Sequence, residues 1–281
     1  MNNPDLIAVI VLYKTKINES KSFICLLKSI EYSKVSVDIV IYDNSPDFNL
    51  DTDIVLLNNP IRYIADGSNG GVSKAYNAAF EIAKEKNKGW LLLLDQDTEF
   101  PIETINRYFD GIKKYPEESL FVPLILSIDN NKIISPCIFK FMRGFYAKEI
   151  FYGKNSLVGH SVINCGICIS VNAFGSINGY NENIRLDFSD FEFIERFKKV
   201  VSKNVIVVEL KFYHSLSAIQ KQNISQEKVR FRYYLAGGRH LSKNSFESFF
   251  IFINAFLRAL KLTIIYKSFF FIKEMLIGTL R

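Results

Sequence analysis

The strongest constraint on the fold is an alternation that runs through the first hundred residues. Three apolar runs, 6–13 (LIAVIVLY), 37–43 (VDIVIYD) and 90–97 (WLLLLDQD), are separated by segments near 19–32 and over 71–85 whose apolar residues recur at helical spacing. A strand with one face in water alternates polar with apolar residues. A run that is apolar at successive positions must instead be covered on both faces, as parallel strands between helices are. The chain therefore predicts βαβ units and a doubly wound α/β sheet. Ligands of such sheets bind beyond the carboxyl ends of the strands. Those ends are polar and acidic here: YDNS closes the second run, DQDT the third, and DGSNGG lies between them at a helix start.

The remaining chain changes character. Residues 116–179 read as β-rich with turn signals at DNN and around 153–155, which predicts a second, mixed sheet region. A helix over 187–200 and a strand over 204–210 follow, so the catalytic unit is expected to span 1–215 and a helical extension 216–281. In 244–281 the clusters FFIFINAFL, LTIIY and FFFI are punctuated by Arg258, Lys261, Lys267, Lys273 and Arg281, against Glu247 and Glu274. Cations spaced so closely leave no bilayer-spanning run, and no transmembrane helix is predicted. The mixture suits helices lying in a membrane interface, with a hairpin packed on the core or in a homodimer as the competing reading.

Composition excludes several classes. With 281 residues, 48% hydrophobic and 23% charged, and a net charge of +6, the chain is neither disordered, nor collagen-like, nor a small disulfide scaffold. Cys25, Cys137, Cys165 and Cys168 are few and scattered, which points to a reducing compartment. The Cys165/Cys168 pair lies in VINCGICISV, which reads as a buried strand rather than a zinc or redox site. Asp5 precedes the first apolar run and no basic segment does, so no secretory signal is expected and the location is expected to be cytoplasmic. Neither GxxxxGK[ST] nor GxGxxG after the first strand is present, which argues against a P-loop ATPase and a dinucleotide enzyme. No nucleic-acid partner is expected.

Four groups carry candidate chemistry. Asp95 and Asp97, on a turn after a buried strand, suit a hard divalent cation, Mg²⁺ or Mn²⁺, that also takes substrate phosphates. Asp187, Asp190 and Glu192 stand at a helix head, where acids complement the dipole and cap amides. A carboxylate there among Phe188, Phe191 and Phe193 could also act as a general base tuned by burial. His214 follows a strand and could complete a metal shell. The stretch 69–74 (NGGVSK) predicts a phosphate cradle, with glycines admitting close approach and the next helix offering free amides.

Taken in order, AVIVLYK, IVIYDNS, NGGVSKAYNAAF, LLLLDQDTEF, INGYNENIRLDFSDFEF and FYHS resemble the family 2 glycosyltransferases of the GT-A fold, and within them the bacterial rhamnosyltransferase-like branch. The resemblance covers about 210 residues. It implies a Rossmann-like, mainly parallel sheet with helices on both faces. By the same resemblance Val11, Leu12, Tyr13, Asp43 and Asn44 would surround the base and ribose of a nucleotide-sugar, and Asn69, Gly70, Gly71 and Lys74 would lie beside it. Asp97 would be the more direct metal ligand with His214, and Asp95 would face the sugar or ribose. Asp190 would be the catalytic base with Glu192 two positions on, and Arg232 a candidate to share the diphosphate's charge. The Cys165–Cys168 stretch would supply small residues on the acceptor side.

The implied activity is inverting transfer of a sugar, foremost L-rhamnose from dTDP-rhamnose, onto a lipid-linked or other cell-surface glycan such as O-antigen or capsule, at the inner face of the bacterial plasma membrane. The alternatives are a UDP-hexose or UDP-N-acetylhexosamine transferase of the same fold, such as a galactosyl- or glucosyltransferase, and a non-catalytic nucleotide-binding scaffold. Three departures from the family pattern stand out: Asn178 where glycine is usual, Asn181 where aspartate is usual, and Arg232-Tyr-Tyr leading into GGR instead of RN.

Overall fold

A computed structural model describes residues 4–46, 60–214 and 223–279. The first half contains β1 (Leu6–Leu12), α1 (Lys21–Ser33), β2 (Asp38–Asp43), β3 (Ile61–Ala65), α2 (Gly71–Glu85), β4 (Trp90–Asp95), α3 (Thr104–Lys114) and β5 (Leu120–Ser127). Short strands follow: β6 (Ile133–Ser135), β7 (Cys137–Lys140), β8 (Arg143–Phe145), β9 (Gly153–Ser156), β10 (His160–Ser161) and β11 (Cys168–Ser170). The chain continues through α4 (Val171–Ser176), α5 (Ser189–Val200), β12 (Asn204–His214), α6 (Ile224–Leu241), α7 (Ser245–Tyr266) and α8 (Phe270–Thr279).

A nine-stranded sheet dominates, in the order β3-β2-β1-β4-β11-β5-β12-β9, with β6 paired to β5. Its β3-β2-β1-β4 half is parallel, as the apolar runs predict, and so is the β5/β12 pair. Strand β11 is antiparallel to both β4 and β5 and joins the two parallel blocks. The two faces of β1 show why the run lacks polar alternation. Ile7, Val9 and Val11 face a core with Tyr76, Ala79 and Ile82 of α2 and Phe193 and Phe197 of α5. Leu6, Ala8, Ile10 and Leu12 face a second core with Leu26 and Ile30 of α1 and Tyr108 and Phe109 of α3. A substitution by a charge at any of these positions would bury it without a partner.

The expected second sheet region is corrected. Strands β5, β6, β9 and β11 belong to the main sheet, and only β10-β7-β8 form a separate three-stranded sheet. The run VINCGICISV is a strand only over Cys168–Ser170. Gly166 breaks it with φ +80, where a Cβ would lie 2.7 Å from Pro123, so smallness at this point serves packing behind the site. Strand β12 continues past 210 to His214, with a register shift between Val207 and Lys211.

The boundary expected at 215/216 lies outside the described residues. Beyond it, α6, α7 and α8 enclose a core of their own around Phe231, Ala255, Ala259, Phe271 and Met275. A junction of Ile184, Phe188, Leu241 and Ile251 ties this bundle to the segment before α5. The expectation that no helix could span a bilayer is also corrected: α7, at 22 residues, is long and apolar enough by length and composition, because Arg258 and Lys261 alone interrupt its apolar window. Arg258 nevertheless pairs with Asp187 and Glu227 at 3.3 and 3.5 Å, which docks the middle of α7 against the rest of the protein.

Candidate active site

Parallel pairing sets the site's position. In register, Leu12 sits opposite Asp43 and Val11 opposite Asp95, so the acidic ends of β2 and β4 flank the end of β1 along one edge. His214 ends β12, three strands from β4 in the sheet. A backbone bridge closes that gap: the Glu99 amide donates to the Tyr213 carbonyl at 3.0 Å and the Tyr213 amide returns the bond at 2.9 Å. The turn carrying Asp97 is thereby laid over the end of β12.

The side chains meet there. Ligand atoms of Asp95, Cys165 and His214 lie within 4.8 Å of one another, and His214 Nδ1 is 3.4 Å from Asp97 Oδ1. Thr98 Oγ1 stands 3.0 Å from the same Nδ1 and 2.8 Å from Cys165 Sγ. Nδ1 is thus engaged, and Nε2 is the ring nitrogen left for a ligand. Cys165 does not suit a hard cation, because burial first and Asp95 second push its thiol well above the usual range and keep it protonated. The oxygen donors of Asp95 and Asp97 with one imidazole remain, a set that suits Mg²⁺ or Mn²⁺ completed by phosphate oxygens. Burial also raises Asp95, with the charge of Asp97 adding to the rise and His214 opposing it. Two carboxylates held together against their own repulsion favour a bound cation. Tyr76, which the sequence motifs do not single out, donates to Asp95 Oδ1 at 3.0 Å and is fully buried. It stands one turn into α2, and the only trace of it in the sequence is a tyrosine on that helix's apolar face.

Asp190 lies in the first turn of α5 and is partly buried. Burial raises its pKa to about 7, against the pull of the Phe191 amide, and the charges of Asp187 and Asp95 contribute to the rise. It therefore lies near enough to the cation site to feel the charge of Asp95, and a carboxyl raised toward neutrality suits a general base. Glu192 stands in a different setting: it is 4% exposed and accepts three hydrogen bonds from Arg196, at 2.7, 2.8 and 3.0 Å, which engage it in an ion pair within α5. Asp187 is no helix cap: Arg230 and Arg258 hold its carboxyl below the usual range although burial opposes them. Between the two acids Phe188 has φ 76, a strained value for a bulky residue. Its ring is pinned against Tyr234 at 4.7 Å, so the C-terminal bundle fixes the turn that presents Asp190.

The other predicted binding residues occupy the adjoining edge. Val11 and Leu12 are buried, and Tyr13 is exposed at the lip with its amide bonded to Gln96 Oε1. Asp43 accepts from the Tyr63 hydroxyl at 2.6 Å and from the Ser45 amide at 2.8 Å. Asn44 Oδ1 accepts from the Gly71 amide at 3.2 Å. Lys74 pairs with Asp66 at 3.0 Å, and hydrogen bonds from Ser68, Tyr42 and Lys74 overcome burial to hold Asp66 well below its ordinary value.

In the stretch 69–74, expected to cradle phosphate, three amides at the helix start are engaged within the protein. Gly70 N–H donates to Asp66, Gly71 N–H to Asn44 and Val72 N–H to the Arg185 carbonyl. The glycine serves a protein contact instead: at φ +87, a Cβ on Gly71 would lie 2.1 Å from the Arg185 oxygen. Arg232 is not brought to Asp95, Asp97 or His214. It sits on α6 with its guanidinium on Glu274 of α8 at 2.9 and 3.3 Å. Of the departures in 178–181, Asn178 adopts φ +57, a conformation asparagine tolerates nearly as glycine does.

Comparison with known proteins bears on the family and the fold. Residues 25–173 match the model of glycosyl transferase family 2. The dTDP-rhamnosyl transferase RfbF of Shigella flexneri is 22% identical over 218 residues, which cover 76% of this chain and 70% of that protein. Among solved structures, S. aureus TarS superimposes with TM-score 0.56 at 13% identity over 91% of this chain, which spans only 43% of TarS. GalNAc-T7, solved with UDP, GalNAc and Mn²⁺, gives TM-score 0.56 at 15% identity over 89% of this chain and 54% of its own. The fold they share with this chain is GT-A.

Proposed function

The chain belongs to glycosyl transferase family 2, and from that premise we propose that it is a divalent-metal-dependent inverting glycosyltransferase that moves L-rhamnose from dTDP-rhamnose to a hydroxyl of a lipid-linked cell-surface glycan. The observation that carries the reading is the pairing of two acidic groups: Asp95, Asp97 and His214 clustered at the strand ends, and Asp190 in the first turn of α5, whose pKa is raised to about 7 by burial and in part by the charge of Asp95. Mg²⁺ or Mn²⁺ bound by Asp97, His214 and Asp95 would neutralise charge on the departing nucleoside diphosphate. Asp190 takes the proton from the acceptor hydroxyl as that oxygen attacks the anomeric carbon opposite the diphosphate, so the configuration inverts in one displacement. Tyr76 holds Asp95 in place, and Thr98 fixes the His214 ring, a positioning role common around metal ligands. Tyr13, Asp43 and Asn44 at the ends of β1 and β2 receive the base and ribose.

Rhamnose rests on the order of motifs and on the Shigella relative's name. A UDP-sugar donor is the second reading, favoured by TarS 1–349, whose structures hold UDP and UDP-GlcNAc. For the acceptor side, α7, α8 and the turn between them expose Phe249, Phe252, Phe256, Ile264 and Phe269 beside the exposed Lys261, Lys267 and Lys273, a pattern suited to an anionic lipid surface at the cytoplasmic leaflet. Thermal shift with dTDP-rhamnose, UDP-galactose, UDP-glucose and UDP-N-acetylglucosamine, with and without Mn²⁺, tests the donor. The reading expects a Mn²⁺-dependent rise for dTDP-rhamnose that Asp97→Ala abolishes. A rise confined to UDP-sugars would replace the sugar, and no rise with any nucleotide in folded protein would leave a scaffold.

A further inference from the structure

Between the segment before α5 and the C-terminal bundle lies a cleft of about 410 Å³ whose chemistry the reaction above does not use. Asn183, Arg185, Arg232, Tyr233, Arg239 and Glu274 line it, so three guanidiniums face one carboxylate. Each is held in place. Arg232 lies flat on Glu274 through two hydrogen bonds, Arg239 donates to the Gly278 carbonyl at 3.3 Å, and Arg185 stacks on Tyr233 with its centre 5.4 Å from the ring. Arranged cations that remain exposed with unused donors are the usual means of seating a phosphoryl group, because the planar guanidinium offers paired N–H bonds to its oxygens. Two further features define the rest of the ligand. The wall formed by α8 exposes Leu276 and Ile277 between Glu274 and Gly278, and the exposed Phe269 precedes it, so the cationic cleft borders an apolar surface. The opposite wall, Asn183 and Arg185, belongs to the segment that leads through Phe188 to Asp190. The Arg185 carbonyl also accepts from the Val72 amide in the first turn of α2.

We propose that this cleft is an acceptor subsite that seats the phosphate or diphosphate head of an amphiphile, with the alkyl chain leaving across α8 and the hydroxyl-bearing end directed along 183–190 toward the base. The assignment rests on the glycosyltransferase reading for its purpose, and its test is independent of that reading. Arg232, expected from sequence to serve the donor diphosphate, serves the acceptor's phosphate instead.

The experiment is calorimetric binding of farnesyl diphosphate, below its micellar concentration, and of inorganic pyrophosphate, to the full chain in EDTA so that the cation site is closed. Farnesyl diphosphate should bind, and pyrophosphate more weakly because it lacks the chain. Arg185→Ala/Arg239→Ala, whose side chains are exposed, should weaken farnesyl diphosphate at least tenfold, the scale of losing charge-assisted hydrogen bonds. Asp97→Ala should bind it as the wild type does. The proposal is overturned if the double variant, shown folded by its melting temperature, binds unchanged. It is overturned equally if UDP or dTDP displaces the probe, which would place it in the donor site, or if pyrophosphate binds as tightly, which would reduce the cleft to a simple anion site. The Mn²⁺-dependent donor shift, measured on the same proteins, separates failure of this subsite from failure of the glycosyltransferase reading.

Discussion

Asp190 makes the sharpest quantitative demand. Its carboxyl moves from an ordinary 3.8 to about 7, chiefly through burial, with Asp187 and Asp95 adding charge repulsion. A base must be ionised to work, so the transfer rate at saturating donor should rise about tenfold per pH unit below the midpoint, reach half its maximum near pH 7 and level off above. A cation at Asp95 offsets one of the contributions, so the midpoint in the working enzyme lies at or below that of the metal-free protein. Stability should run the opposite way. The folded-state pKa lies above the unfolded one, so the native state holds the proton over the interval between them. Stability contributed by this group is intact below about pH 4, falls as pH climbs through about 7, and is flat beyond. The full shift corresponds to ~4 kcal/mol, and since Asp190 is only partly buried, ~1–2 kcal/mol is the reasonable expectation. Asp190→Asn keeps an oxygen for the Phe191 amide and cannot ionise. It should therefore melt a few degrees higher than wild type at pH 8, match it at pH 4, and transfer sugar at under about 1% of the wild-type rate. The assays are initial-rate product formation from pH 5.5 to 9 and thermal melts at the two pH values. A rate flat down to pH 5.5, or an Asp190→Asn variant that keeps a tenth of the activity, would refute the assignment.

Three further outcomes follow from the packing. Arg258→Met should cost ~2 kcal/mol in denaturant unfolding, below the range for fully buried pairs because Asp187 keeps Arg230, and Asp187→Asn in the same chain should recover part of it. Gly71→Ala should lower the melting temperature markedly or abolish soluble expression, since the Cβ would enter the Arg185 carbonyl. Glu192→Gln should lose ~1–3 kcal/mol of stability with the Arg196 pair yet retain transfer within about threefold at pH 8; a collapse of kcat in folded protein would restore it as a catalytic acid.

What the sequence disclosed and what it hid divide along physical lines. The parallel strands were legible because burial on both faces leaves a run apolar at successive positions, and helix α2 was legible because its apolar residues recur at helical spacing after the paired glycines. The acidic strand ends were legible for the same reason, since register follows from pairing. Strand β11 was misjudged because Gly166 turns the chain inside an apolar run, and apolarity alone does not separate a buried turn from a strand. Glu192 and Asp190 look alike in sequence, two acids among phenylalanines. Only the position of Arg196, one helical turn on from Glu192, distinguishes a paired acid from a base, and that i,i+4 spacing was available to be read. The engaged amides of α2 were not, because their acceptors, Asn44 and the Arg185 carbonyl, come from distant segments. Arg232 and Glu274 likewise meet only once α6 and α8 fold together.

Direct titration of Mn²⁺ into the protein, followed by electron paramagnetic resonance in the presence of dTDP and then of UDP, tests the central claim that Asp95, Asp97 and His214 form a cation and diphosphate site. The account predicts one Mn²⁺ per chain, bound at least tenfold more tightly with a nucleoside diphosphate than without, and loss of that site in both Asp97→Ala and His214→Ala. Folded wild-type protein that binds no Mn²⁺ with either nucleotide, or variants that bind it as wild type does, would contradict it.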